Sequence, residues 1–197
     1  MPNDTLAFTI RPYRPEDRDA VVDLFVRVNR SLAPPEMKEV FEAYVARSLA
    51  EEIGQIDRYY DAARDRSFWV TIADSRLLGN FGLEPADDGA AEVRRMYVDF
   101  PFRRSGIARA MLLHAETCAR QAGFTRLILS TSSLQQPALA LYRSSGFELV
   151  RQEIANSPSL KTVGNGIPRY HLEKPLIKGP PPNIQASVRL SNPACSP

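Results

Sequence analysis

Residues 92–109, Glu-Val-Arg-Arg-Met-Tyr-Val-Asp-Phe-Pro-Phe-Arg-Arg-Ser-Gly-Ile-Ala-Arg, bring together the groups that an anionic ligand needs. Arg94, Arg95, Arg103, Arg104 and Arg109 concentrate positive charge in a chain whose net charge is only +2. The stretch reads as a strand, a basic turn and the first residues of a helix. Backbone N–H groups at a helix N-terminus, with guanidiniums beside them, form a phosphate site. Gly106 fits a place where backbone must approach phosphate oxygens closely, and Ala108 is small for the same reason. A basic solvated face is the competing reading; the glycine and the helix start favour the anion site. No Gly-Lys-Ser/Thr follows the turn, which excludes a phosphate loop of the Walker type.

The flanking elements must position that turn. Phe8–Pro12 reads as a first strand, and Pro15-Glu16-Asp17 opens a helix whose apolar face is Val21, Val22, Leu24, Phe25 and Val28. Pro34-Pro35 ends it. A second helix runs from about Glu36 through Met37, Val40, Phe41, Tyr44, Val45 and Leu49. Residues 51–64 are expected to be helical as well, although Gly54 weakens them. Strands follow over Ser67–Ile72, Leu77–Leu83 and Ala91–Asp99, separated by Asp-rich turns. The helix after the basic turn has the stripe Ala108, Met111, Leu112, Ala115, Ala119 and Ala122 and stops at Gly123. Thr125–Ser130 is a strand, Pro137–Ser145 a helix, Phe147–Glu153 a strand and Arg169–Lys174 the last strand, after a Ser/Pro/Gly-rich loop over 155–168. The order β-α-α-β-β-β-α-β-α-β-β gives a single α/β domain over residues 1–177 with a mixed, mostly antiparallel sheet and flanking helices. Residues 178–197 hold five prolines and read as a disordered tail.

Two separate motifs now stand in order. Arg103-x-x-Gly106-x-Ala108 is preceded by Glu92 and by Met96-Tyr97-Val98; Gln135, Ala138, Tyr142, Gly146 and Phe147 follow downstream. Together they resemble the GNAT superfamily of acyl-CoA-dependent N-acetyltransferases, over about residues 8–175. The departure is Gln135, where the family's second motif has Asn. Residues 51–72 and Gly106-Ile107-Ala108 are loosely similar to the camello-type branch, without that branch's membrane-anchoring apolar segment.

The resemblance implies a splayed central strand pair that admits the pantetheine arm of acetyl-CoA, the co-substrate. Arg103, Arg104, Ser105, Gly106, Ile107, Ala108 and Arg109 would hold its phosphates. Backbone at Met96, Tyr97 and Val98 would bond the pantetheine amides like an added strand and offer an N–H to the thioester carbonyl. Gln135, Ala138 and Tyr142 complete the cofactor side. Tyr142 is the implied acid, which protonates the leaving thiolate, and Glu92 the implied base, acting directly or through a water. Each has a plainer alternative: Tyr142 as packing, Glu92 as a carboxylate paired with Arg94 or Arg95 or merely solvated. The expected acceptor is a primary amine of a small molecule, attacking directly in a ternary complex. A non-catalytic acyl-CoA sensor and a protein acetylator are the rivals. Tyr142 and Glu92 argue against the sensor, and a closed pocket between residues 30–64 and loop 155–168 would argue against a protein acceptor. The superfamily also admits a homodimer.

The remaining expectations are negative or bland. Net charge gives no ground for nucleic-acid binding. No apolar segment approaches the roughly 20 residues that span a membrane, and no signal peptide is visible. Cys118 and Cys195 are too few for a disulfide framework, and with His114 and His171 they give no metal-ligand spacing, so a cytoplasmic setting is expected. His114 is expected on the exposed side of its helix. His171 is a candidate for the acceptor wall; Tyr59 and Tyr60 either line that pocket or, the more common case, form the packing face of a helix. Phe68 and Trp69 read as core.

Overall fold

A computed structural model describes residues 6–176. The tail read from residues 178–197 lies outside the described residues. Seven strands form one sheet, in the order β1-β2-β3-β4-β5-β7-β6. They are β1 Thr9–Pro12, β2 Ser67–Ala73, β3 Arg76–Pro85, β4 Ala90–Val98, β5 Arg126–Ser132, β6 Glu148–Ala155 and β7 Ile167–Pro175. All neighbours are antiparallel except β4 and β5. The helices are α1 Arg18–Leu32, α2 Lys38–Glu51, α3 Ile56–Tyr59, α4 Ile107–Gln121 and α5 Gln136–Ser144. No described helix is long and apolar enough to cross a membrane.

The alternation of side chains along the strands sorts the core into two layers. On one face, Ile107, Met111, Leu112, Ala115 and Ala119 of α4 and Leu139 and Tyr142 of α5 pack on Trp69, Phe81, Leu83, Ala91, Val93, Leu127 and Leu172. On the other face, Val21 and Phe25 of α1, Val45 of α2, and Ile53, Ile56 and Tyr60 pack on Phe68 and Val70. Phe68 and Trp69 are core, as expected.

The region 51–64 departs from the expected continuous helix. It breaks into a 3-10 turn at Ile53–Gln55, the single turn α3 and a further 3-10 turn at Ala62–Arg64. Gly54 lies so close to the preceding helix that a Cβ would sit 2.3 Å from the Leu49 carbonyl oxygen. The break also aims Glu52 inward, where it is 0% exposed.

Two irregularities shape the centre of the sheet. The parallel β4–β5 pairing covers only Ala90–Glu92 against Arg126–Ile128, so Val93–Val98 have no strand partner on that side. The strand pair is therefore splayed, as the family resemblance implies. On its other side β4 carries a β-bulge: Asn80 faces Tyr97 and Gly82 faces Arg94, leaving Arg95 and Met96 opposite Phe81. Arg95 adopts φ +51°, rare for a side chain of its size. Buried Asn80 fixes it by donating from Nδ2 to the Arg95 carbonyl at 2.7 Å. The extra residue shifts the alternation: Arg94, Arg95 and Tyr97 turn to the α1–α3 face, while Met96 and Val98 pack toward α4.

Candidate functional site

The basic turn is built as a concave run of backbone. Asp99 caps Phe100 N at 2.9 Å and begins a 3-10 turn over Phe100–Phe102. Arg104 and Gly106 then both take left-handed conformations, φ +67° and +86°. Gly106 is the N-cap of α4, with no side-chain cap and no acid in the first turn. An added Cβ at Gly106 would meet nothing within 4 Å. The requirement for glycine there is thus the positive φ, and the space before the helix N-terminus stands open. Ile107 is fully buried, so its N–H rather than its side chain is what it can offer a ligand.

Arg103, Arg104, Ser105 and Arg109 are exposed around this opening. Among the described residues none of these three arginines makes an ion pair. Asp99, the acid inside the motif, is already paired with Arg27 at 2.8 Å and Arg76 at 3.4 Å. Burial alone would raise Asp99, but the Arg27 and Arg76 contacts and the Phe100 N–H outweigh it and hold the carboxyl below its ordinary value. Arg103 lies over the Phe100 ring at 4.0 Å and donates to the Val98 carbonyl at 3.2 Å, which keeps its guanidinium beside the splay.

Arg94 and Arg95 do not belong to this basic cluster, contrary to the sequence reading. The bulge turns both into the opposite layer. Arg94 reaches Glu52 at 2.8 Å and Glu84 at 2.7 Å; Arg95 reaches Glu52 at 2.6 Å. Arg95 also donates to Tyr44 Oη at 2.6 Å, and Tyr60 donates to Glu52 at 2.6 Å. Burial by itself would raise Glu52; the hydrogen bond and charge of Arg95, with the charge of Arg94, hold it below its ordinary value. Tyr59 and Tyr60 serve this buried network and are not among the residues that line the cavity below.

The splay opens into a cavity of about 90 Å³, lined by Glu92, Met96, Tyr97, Gln135 and Tyr142 together with Tyr44, Ser130, Lys161 and Arg169. A second lobe of about 70 Å³ continues toward Asn29, Phe41 and Val163. Both candidate proton-transfer groups therefore face one space. Val98 and Ala138 are not among its lining residues and pack on the apolar layer, and Ala108 is half-buried behind the turn. Gln135 accepts from Thr131 Oγ1 at 3.1 Å. Among the described residues its own amide nitrogen has no partner, so the Asn-to-Gln departure leaves a donor available.

Glu92 is buried, and its partner is neither Arg94 nor Arg95. Lys161, from the loop between β6 and β7, donates to Glu92 Oε2. Tyr142 is 7% exposed. Among the described residues its hydroxyl makes no hydrogen bond. Burial, with the nearby Tyr97, pushes its phenol upward and keeps it protonated. Burial pushes Tyr97 up to about 12.

Other expectations change. His114 is buried, not exposed: its ring stands edge-on to Trp69 at 4.4 Å, and among the described residues neither ring nitrogen has a hydrogen-bond partner. Burial lowers it to about 4. His171 pairs with Glu153 at 2.8 Å and is not a cavity residue. The sequence reading missed Tyr44, Lys161 and Arg169. Arg169 could have been suspected from its place on the last strand; Lys161 lies in a loop without pattern. No group of described His, Cys, Asp or Glu side chains has the arrangement of a metal site.

The acetyltransferase (GNAT) family model matches residues 24–147. Human N-acetyltransferase 8 is 32% identical over 120 residues, which cover 58% of this chain and 53% of that protein. Probable N-acetyltransferase camello of Xenopus tropicalis is 29% identical over 119 residues, 59% of this chain and 54% of that protein. The chain thus spans about half the length of these curated relatives. Among solved structures, PaiA N-acetyltransferase of Thermoplasma acidophilum in complex with coenzyme A superposes with a TM-score of 0.64 at 19% identity, covering 86% of this chain and 99% of that one. The family match takes in β4, β5, the basic turn and α5, and the fold is shared with solved acetyltransferases: the chain belongs to the acetyltransferase (GNAT) family, with camello-like N-acetyltransferases among its relatives.

Proposed function

We propose that this chain transfers an acetyl group from acetyl-CoA to the primary amine of a small acceptor, by direct attack in a ternary complex. The observation that carries the reading is the open β4 edge, which connects the N-terminus of α4 with a cavity holding Glu92 and Tyr142. The residues fit the cofactor. The space before Gly106 is open, three guanidiniums lack acid partners among the described residues, and an uncovered strand edge is free to pair with amides. Acetyl-CoA supplies an activated acetyl thioester.

Arg103, Arg104 and Arg109, with Ser105 and the amides at Ile107–Arg109, would hold its phosphates. Met96–Val98 would hold the pantetheine arm. Glu92 takes a proton from the acceptor ammonium, directly or through a water. Tyr142, kept neutral by burial, donates a hydrogen bond and then its proton to the leaving sulfur.

The cavity mouth supports a small acceptor over a protein surface. Leu160 and Lys161 of the loop bond to Arg95 and Glu92, and Val163 and Ile167 pack on Phe41 of α2. Arg169 supports a finer assignment. It is 5% exposed, donates to Ser130 and makes no ion pair among the described residues. A buried cation with no described acid in contact favours an acceptor that brings a carboxylate.

The test is coenzyme A thiol release with amines offered in pairs, each amino acid beside its decarboxylated analogue. The acid should be preferred in kcat/KM by about 10- to 100-fold, the worth of one hydrogen-bonded charge pair. Arg169→Leu should erase the preference. Equal rates for both members of every pair would remove the carboxylate assignment. Absence of amine-dependent release across the panel would remove the small-acceptor reading.

A further inference from the structure

The acceptor cavity already contains a primary amine. The chain has four lysines, Lys38, Lys161, Lys174 and Lys178. Lys38 is exposed at the start of α2, and Lys174 is paired with Glu116. Lys161 places its ammonium on the carboxylate assigned as general base. It also lines both lobes of the cavity, beside Tyr97 and Gln135.

The placement is built rather than incidental. Ser159 and Thr162 close a tight turn by reciprocal backbone hydrogen bonds of 2.9 and 3.3 Å, with Leu160 and Lys161 at its tip. Ser159 Oγ accepts from Lys161 N at 3.1 Å. Arg95 Nη2 donates to the Leu160 carbonyl at 2.9 Å, and Arg95 is itself fixed by Glu52. On the far side of the turn Val163 and Ile167 are seated on Phe41. Both flanks of the tip are therefore anchored, and the Lys161 side chain, 47% exposed, reaches from the mouth to Glu92.

We propose that Lys161 is a site of intramolecular self-acetylation. The inference rests on the acetyl-transfer reading above. Glu92 Oε2 takes one proton from the Nζ ammonium. The nitrogen lone pair forms a C–N bond to the acetyl carbonyl carbon of acetyl-CoA, and the C–S bond breaks. Sulfur leaves with the electron pair and receives the Tyr142 proton. The second nitrogen proton restores the phenol, and the proton on Glu92 passes to water. The products are Nε-acetyl-lysine, coenzyme A thiol and one released proton. The amide carries no charge, so the Lys161–Glu92 contact is lost and Glu92 becomes available to an external amine.

The full chain is incubated with acetyl-CoA alone, and acetylation of each lysine is followed by peptide mass spectrometry, with Lys38 as the internal reference. Lys161 should be modified at least about tenfold faster than Lys38, since proximity replaces a bimolecular encounter. Its rate constant should not change with protein concentration, and Glu92→Gln should bring it to the Lys38 level. A second readout needs no cofactor. Acetic anhydride should label Lys161 more slowly than Lys38, because the Lys161 nitrogen is engaged by Glu92 Oε2 while Lys38 stands exposed, and Glu92→Gln should remove that protection. Equal labelling of Lys161 and Lys38 by acetyl-CoA, or a rate that scales with protein concentration, overturns the inference. If added amines are acetylated in the same samples, the enzyme stands and only the inference falls. If neither Lys161 nor any amine is acetylated, the transfer reading falls with it.

Discussion

Removal of the Glu52 carboxylate tests how the site is held. Glu52 is fully buried, and the side chains of its partners Arg94 and Arg95 are 6% and 3% exposed. Among the described residues, Glu52→Ala leaves Arg95 with no acid in ion-pair distance and Arg94 with Glu84 alone. Breaking a buried pair from one side costs about 3–5 kcal/mol, because the remaining charge is left uncompensated. At about 2–4 °C per kcal/mol for a chain of this size, Tm should fall by roughly 6–20 °C. Urea unfolding, with calorimetry as a check on two-state behaviour, measures the loss. Glu52→Gln keeps two polar atoms near the guanidiniums and should lose less. The pH dependence has a definite sign. The Glu52 carboxyl is held below its ordinary value, so its contribution is complete above the ordinary carboxylate range and is lost as pH falls through the lowered value. Wild type and Glu52→Gln should converge in acid. A loss under about 1 kcal/mol for Glu52→Ala would refute the view that this carboxylate neutralises the bulge.

Two further outcomes are expected. His114 sits near 4 when folded against an ordinary value near 6.5, so below pH 6.5 the unfolded chain binds more protons and stability falls by about 3 kcal/mol toward pH 4. His114→Phe, seated against Trp69 and Phe81, should remove that slope in urea titrations taken across pH; a slope that persists would place the acid sensitivity elsewhere. Tyr142→Phe should lower kcat with little change in coenzyme A affinity, and an unchanged kcat, once single-turnover kinetics show chemistry to be limiting, would remove Tyr142 from proton transfer.

What could be read from the sequence was local. The proposed cofactor side rests on two short motifs, around Arg103–Ala108 and Gln135–Phe147, whose residues sit on adjoining elements. The helices and strands followed from apolar spacing with Gly or Pro at their ends. What could not be read depends on distant partners. Arg94 and Arg95 looked like part of the basic turn; the bulge at Arg95 is set by Asn80, 15 residues away, and by Glu52, 43 residues away. Glu92 finds Lys161 across 69 residues, in a loop with no periodicity. His114 lies just off the stripe of α4 and is covered because Trp69 from β2 stands over it. Residues 51–64 have helical apolar spacing, but the close approach of Gly54 to Leu49 and the inward turn of Glu52 interrupt the helix.

The most direct measurement of the central claim is calorimetric titration of coenzyme A into wild type and Gly106→Glu. The substitution adds a carboxylate to the open space before α4 and forces a side chain into a φ of +86°. Saturable one-site binding to the wild type, weakening as salt is raised, and its loss in a folded Gly106→Glu variant, is the predicted result. Equal affinity in the two proteins would contradict the assignment of the α4 N-terminus as the cofactor's phosphate site.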